Sequence, residues 1–207
     1  AAYVPQDARI TPVAQLNHIA ETAEIKVILS LSHLKHRIPI TQEREVLALD
    51  ELLPHLKMAS QVKKREVASD SHCFILYTSG TTGFPNGVQV SHKNLCNIIH
   101  TSPGHLGVEP GQKVSQILNI SFDMAAWEIF TALSFGATLV IRGKDIQEAV
   151  SKVDVIIATP SILATIDYHL NQQVKVVAVA GEPCPKSLAE KWLSLIHISE
   201  PTRRIEI

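Results

Sequence analysis

The chain reads as an α/β protein built on mainly parallel sheets with flanking helices, and three observations predict it. From Lys113 onward, short β-branched runs alternate with helical spacings, the order that lays parallel strands under crossover helices. A strand-forming run, Cys73-Phe74-Ile75-Leu76-Tyr77, empties into a loop of alternating glycines and hydroxyl side chains. Finally, 207 residues, 45% of them hydrophobic and 19% charged, suffice for one good-sized domain with a real core.

Taken in order, Thr11-Pro12 predicts a helix start, with the hydroxyl as cap and the proline at the first helical position. Val13, Leu16 and Ile19-Ala20 follow at helical spacing, and Ile25 to Leu29 reads as a strand. Residues 31–71 are less regular. Glu45 to Leu49 reads as a strand, Pro54 interrupts any helix near Leu52, and Lys63-Lys64-Arg65-Glu66 reads as a solvated connector. Gly87 to Val90 forms the next short strand, and Ser91 caps a helix whose apolar positions include Leu95, Ile98 and Ile99. Ser102-Pro103-Gly104 ends that helix. The strand Val114 to Leu118 leads to a helix from about Met124 to Ser134, stopped by Gly136. Then come a strand over Thr138 to Ile141, a helix over Ile146 to Ser151 and a strand over Val153 to Ala158. A helix starts near Ser161, just after Pro160; a strand over Val174 to Val179 and a helix over Lys186 to Trp192 close the series. In such sheets ligands sit beyond the carboxyl ends of the strands. The glycine loop, Asp123, Ala158 and Ala180 share that address, which points to one composite site.

Bulk properties remove several classes. A net charge of -1 gives no electrostatic reason to expect nucleic acid or an acidic membrane surface as partner. Cys73, Cys96 and Cys184 lack any paired spacing for zinc or redox chemistry, so buried, reduced thiols in a cytoplasmic protein are expected. The ten histidines fall in no metal-ligand pattern. No run is long enough to span a membrane, and no signal peptide is expected.

The loop Thr78-Ser79-Gly80-Thr81-Thr82-Gly83-Phe84-Pro85-Asn86-Gly87 carries the first chemistry. Glycine permits positive φ and close approach, so successive N–H groups can converge on one anion while Ser79, Thr81 and Thr82 offer hydroxyl donors. It is not a Walker loop, because no Gly-Lys-Ser/Thr follows at the required spacing. On residue content alone, an ordinary turn between two strands stays open beside a phosphate cradle. The order of residues goes further. Tyr-Thr-Ser-Gly-Thr-Thr-Gly-x-Pro-x-Gly-Val, followed by Ser91-His92-Lys93-Asn94-Leu95, resembles the phosphate loop of the adenylate-forming superfamily. That superfamily includes adenylation domains of nonribosomal peptide synthetases, acyl- and aryl-CoA ligases and luciferases. The resemblance implies part of the large N-terminal domain of such an enzyme, with ATP and Mg2+ as cofactors. It places Thr78, Ser79, Gly80, Thr81, Thr82, Gly83 and Gly87 at the nucleotide's phosphates. One departure stands out: the family usually carries lysine where this chain has Asn86, which removes a mobile cation near the β- and γ-phosphates.

Asn119-Ile120-Ser121-Phe122-Asp123-Met124-Ala125-Ala126-Trp127-Glu128 carries the second. Asp123 stands where a strand turns into a helix, so two roles are open, a helix cap and a ligand. Asp123 and Trp127 lie four apart on one helical face, with Met124 three before Trp127. One carboxylate beside two large apolar groups suits a zwitterionic amino acid, although helical Met and Trp also serve as plain core. Phe-Asp-x-x-x-Trp-Glu is similar to the motif of amino-acid-activating adenylation domains, whose aspartate binds the substrate ammonium. The resemblance implies a pocket of Asp123, Met124, Trp127, Ala158, Ala178 and Ala180, roomy enough for a bulky side chain. CoA ligases and luciferases usually place a histidine at this point, and this chain has none between His105 and His169. Ala180-Gly181-Glu182-Pro183 resembles the family segment along the adenine ring, which adds Gly181, Glu182 and Pro183 to the nucleotide site.

Both ends carry expectations of their own. Ala1-Ala2-Tyr3-Val4-Pro5 resembles an internal family segment, so the chain is expected to begin inside its domain. Leu193 to Ile207 resembles translated read-through of a sequencing adapter, which leaves 1–192 as a partial AMP-binding domain and 193–207 as a non-native tail. The family's later loops and its small C-terminal domain with the catalytic lysine are absent, so no catalytic residue is assigned here. The parent is expected to activate an amino acid and pass it to the phosphopantetheine thiol of a carrier domain. Alternatives are an acyl- or aryl-CoA ligase, in which Asp123 is only a cap, and a non-catalytic nucleotide-binding module. Without the lysine that offsets charge at the α-phosphate, the 207-residue chain alone is expected to show no amino-acid-dependent pyrophosphate exchange, and isotope exchange measures this directly.

Overall fold

The run Cys73 to Tyr77 forms the strand it predicts. A computed structural model describes residues 2–38, 41–56, 66–78 and 83–194. Two units divide the chain, Ala1–Leu95 and Cys96–Ile207.

In the first unit, helix α1 (Val13–Thr22) buries Leu16, Ile19 and Ala20. Pro12 takes the cap position with an extended ψ of 142°, and Thr11 supplies no capping bond, so the helix begins one residue later than the Thr-Pro signal predicts. The far end closes in a Schellman arrangement: Ile25 N–H reaches Ala20 O at 3.0 Å and Glu24 N–H reaches Glu21 O at 3.0 Å, with Glu24 at φ 51°. That closure uses Ile25, so strand β1 (Val27–Ser30) starts later than expected. Strand β2 (Glu45–Ala48) pairs with it in parallel, and the short helix α2 (Leu49–Leu52) gives way at Pro54 to a 3-10 turn. Strand β3 (His72–Thr78) buries Cys73, Phe74 and Leu76 and pairs antiparallel with β4 (Asn86–Ser91). The connector Lys63-Lys64-Arg65 and loop residues 79–82 lie outside the described residues.

Helix α3 (His92–His100) comes next, and its start is reciprocal: Asn94 N–H donates to Ser91 Oγ at 3.2 Å while Ser91 N–H donates to Asn94 Oδ1 at 3.1 Å. Leu95 and Ile99 are buried as predicted, whereas Ile98 is 51% exposed.

The second unit is the alternating half. Its elements in turn are strand β5 (Lys113–Gln116), helix α4 (Asp123–Ser134), strand β6 (Thr138–Ile141), helix α5 (Ile146–Val150), strand β7 (Val155–Ala158), helix α6 (Pro160–Leu163), strand β8 (Val176–Val179) and helix α7 (Lys186–Leu193). The four strands form one parallel sheet in the order β6-β5-β7-β8. Each residue of β7 is buried, as an unbroken apolar run in the middle of a parallel sheet requires. Strands β7 and β8 start later than predicted because Val153 and Val174 N–H close turns onto Val150 and Asn171. Gly136 ends α4 at φ 69°. The expectation of buried thiols holds for Cys73 alone; Cys96 is exposed and Cys184 half-buried. Among the described residues no helix is long and apolar enough to cross a membrane.

Replacing Ser91 by Ala removes one half of the reciprocal cap, and a loss of about 1 kcal/mol is expected in chemical denaturation monitored by circular dichroism.

Candidate functional site

Strand order fixes where a ligand can sit in the second unit. From β5 the chain crosses outward to β6, then returns over β5 to β7 and continues to β8 on the other side. Neighbouring strands β5 and β7 therefore send their connections in opposite directions. The crevice beyond their carboxyl ends is a topological switch point, where parallel α/β sheets take ligands.

Ala158, Ala180 and Gly181 stand at or just after the ends of β7 and β8, and Asp123 and Met124 open α4 after β5. Asp123 is the first residue of α4 and is exposed; Phe122 holds the cap position, so the carboxylate is not the N-cap that residue type suggests. It accepts a bond from Met124 N–H at 2.8 Å. Met124 is half-buried, and its sulfur lies under the turn after β8. A Cβ placed on Gly181 would stand 3.5 Å from that sulfur and 3.7 Å from Thr159 Cγ2. Gly181 has φ 86°, which only glycine takes without strain. Three chain segments, the start of α4 and the exits of β7 and β8, thus meet at Met124, Thr159 and Gly181.

The remaining predicted residues fall around this meeting point. Ala158, the last residue of β7, is fully buried in the core, while Ala178 and Ala180 are half-buried. Ala180 N–H donates to Ala158 O at 3.3 Å, joining the two strand exits. Trp127 is half-buried and donates its indole N–H to Gly104 O at 2.9 Å. Gly104 cannot be larger, because a Cβ there would stand 2.0 Å from Ile98 O. Glu182 is already engaged: its carboxylate accepts from Ser161 N–H at 3.1 Å and from the Ser161 hydroxyl. Together with Thr159 Oγ1, which accepts from Ile162 N–H at 3.3 Å, it caps α6. Pro183 is exposed.

Glu128 has no role in the sequence reading, and the structure gives it one. It is fully buried. Its carboxylate accepts from Ile117 N–H at 2.9 Å, Leu118 N–H at 3.1 Å and Ser115 Oγ at 3.3 Å. Those two N–H groups belong to the expected tail of β5, so the strand ends at Gln116. Burial raises the Glu128 pKa to about 8, against the opposing pull of these donors and of the Arg142 charge. The sequence held a signal: Ala125, Glu128 and Ala132 form one buried stripe of α4, and an acid in such a stripe is bound from inside.

In the first unit, Thr78 and Gly83 flank residues 79–82. Ser79, Gly80, Thr81 and Thr82 lie outside the described residues. Gly83 has φ 88° and nothing within 4 Å of a would-be Cβ, the open backbone that a loop around an anion needs. Gly87 sits inside β4 opposite Tyr77, where a Cβ would stand 3.1 Å from the tyrosine ring, so packing accounts for that glycine. Asn86 is exposed and paired with Thr78 at the end of the ladder. Among the described residues no three His, Cys, Asp or Glu side chains come together as a metal site.

Parallel strands with flanking helices and a strand pair carrying residues 79–82 make up an α/β fold of the kind found in adenylation domains. The chain belongs to the AMP-binding enzyme family, whose match covers residues 1–202. It is 44% identical over 199 residues to adenylate-forming reductase 03009 of Coprinopsis cinerea, covering 93% of this chain and 19% of that protein. It is 31% identical to nonribosomal peptide synthetase 5 of Aspergillus fumigatus, covering 93% of this chain and 9% of that protein. Among solved structures, the nonribosomal peptide synthetase FmoA3 shares the fold at TM-score 0.79 and 21% identity, over 95% of this chain and 22% of that one. The N-terminal subdomain of Klebsiella oxytoca NpsA does so at 0.77 and 22%, over 94% and 53%. The chain thus spans less than a fifth of the length of the curated relatives it resembles.

Burial also gives Glu128 a pH dependence of definite sign. Below the ordinary carboxyl pKa of 4.5 the folded and unfolded chains both hold the proton, and between 4.5 and about 8 only the folded chain does. Stability therefore falls across that window by up to about 1.4 kcal/mol per pH unit. Glu128→Gln is expected to start less stable at pH 4.5 and to gain on the wild type as pH rises, which denaturation midpoints over this range measure.

Proposed function

We propose that the parent protein activates an amino acid as its adenylate. The amino-acid carboxylate attacks the α-phosphate of ATP, an acyl–phosphate bond forms, and pyrophosphate leaves with Mg2+. The acyl group then passes to the phosphopantetheine thiol of a carrier domain, with AMP as the leaving group. Thr78 to Gly83 hold the triphosphate, and the turn Ala180 to Pro183 faces the adenine, with Glu182 shaping that turn through Ser161. Asp123 holds the substrate ammonium, and Met124, Trp127, Ala158, Ala178 and Ala180 shape the side-chain pocket.

The observation that carries this reading is the company of Asp123. Its carboxylate is exposed at the start of α4, one residue before the Met124 whose sulfur lies against Gly181, and among the described residues no basic side chain forms an ion pair with it. A free carboxylate at the mouth of an apolar crevice suits a cationic group better than a plain carboxylic acid. The names of the relatives point the same way: nonribosomal peptide synthetases recur among them, and an artificial fusion of NpsA to a carrier protein is among the structural neighbours.

A second reading concerns the fate of the activated acyl group. Identity is higher to two proteins named adenylate-forming reductases, 44% and 42%, than to the peptide synthetases. In that case the bound acyl group accepts hydride and leaves as the aldehyde.

One assay separates these readings in the full-length parent. Substrate-dependent pyrophosphate exchange over a panel of amino acids and simple carboxylic acids is expected to favour amino acids, and Asp123→Ala is expected to lower it about 10- to 100-fold with the ATP KM unchanged. An unchanged rate for Asp123→Ala leaves the residue as part of the helix start alone. Oxidation of a nicotinamide hydride donor in the same mixture identifies the reductive ending.

A further inference from the structure

We propose that His18, Thr22 and Tyr77 are positioning residues that fix both stems of the segment between β3 and β4 onto α1. The proposal rests on the reading of that segment as the holder of the ATP phosphates.

One stem is β3, which ends at Tyr77-Thr78. The Tyr77 hydroxyl donates to Thr22 Oγ1 at 2.7 Å, and Thr22 Oγ1 donates in turn to His18 O at 2.7 Å. Tyr77 also lies 3.5 Å from Ile19 O. The other stem is Phe84-Pro85 leading into β4. His18 Nε2 donates to Pro85 O at 3.2 Å, and the His18 ring lies 4.9 Å from the Phe84 ring. His18 and Thr22 are one turn apart on the same face of α1, so one short piece of helix grips both sides of the segment.

The grip is rigid at each end. Leu16, Ile19 and Ala20 bury the opposite side of α1, and its C-terminus is closed by the Glu24 turn. Gly87 lacks the Cβ that would stand 3.1 Å from the Tyr77 ring, and this lets the tyrosine cross beneath β4 toward Thr22. A cavity of about 280 Å³ remains alongside, lined in part by His18, Thr22, Tyr77, Asn86 and Gln89. Holding both stems in place lowers the entropy cost of binding a ligand between them. His18 and Tyr77 thereby contribute to affinity for the phosphates without touching them.

The test uses the full-length parent with calorimetric titration of a non-hydrolysable ATP analogue and, separately, of AMP. His18→Ala and Tyr77→Phe are each expected to weaken the ATP analogue about 5- to 10-fold and leave AMP unchanged, because AMP lacks the β- and γ-phosphates. His18→Gln, whose amide can still donate to Pro85 O, is expected to restore affinity. Unchanged ATP affinity in both variants, or an equal loss for AMP, overturns the proposal. A wild-type parent that binds no ATP removes the functional reading itself and the proposal with it. That outcome is distinct from one in which wild type and variants bind ATP alike. If His18→Ala does not fold, Tyr77→Phe, which keeps its ring over Gly87, carries the same comparison.

Discussion

A buried carboxylate decides the geometry of the second unit. Glu128 reaches out of α4 and ties down the two backbone N–H groups where β5 leaves the sheet. A parallel strand normally stops when its neighbour runs out or a turn residue intervenes. Here it stops because an acid from the next helix takes over its donors. The cost is desolvation of that acid, and the return is a fixed distance between strand exit and helix start. Asp123, five residues before Glu128 on the same helix, inherits its position from that tie. So does Trp127, whose indole N–H is committed to Gly104.

The glycine loop has a different kind of support. Its stems are held by hydrogen bonds and ring contacts from α1 rather than by a buried acid. Each is worth little alone, about 1 kcal/mol net, but they act on both stems at once.

How much of this could be read from the amino-acid order depends on whether a feature is local. Strand β7 was legible because Val155 to Ala158 is a continuous apolar run, and Thr138 to Ile141 matches β6 residue for residue. The cap at Ser91 was legible because its partner is three residues away. Two strand ends were not, because they are set from elsewhere: the end of β5 by Glu128, and the start of β1 by the Glu24 closure. Asp123 reads from sequence as either a helix cap or a ligand, and the cap role fails, since Phe122 occupies that position. Nothing in the order of residues reveals that β5 and β7 are neighbours. The switch point emerges only from pairing, and with it the reason that Met124 and Gly181, 57 positions apart by their numbers, share one crevice.

The same separation bears on how far relatedness can decide function. Among the relatives named above, identity is higher to the proteins named adenylate-forming reductases than to the peptide synthetase, while the structural neighbours include peptide synthetases. The residues proposed above bear on adenylate formation alone: Thr78 to Gly83 for the phosphates, the turn held by Ser161 and Glu182, and Asp123 for the substrate. The later steps, attack by a thiol or delivery of a hydride, call on groups of another kind. What the acyl group meets next is therefore chemically independent of the features that select it. Two proteins can share this frame, and even the same substrate, and still release different products.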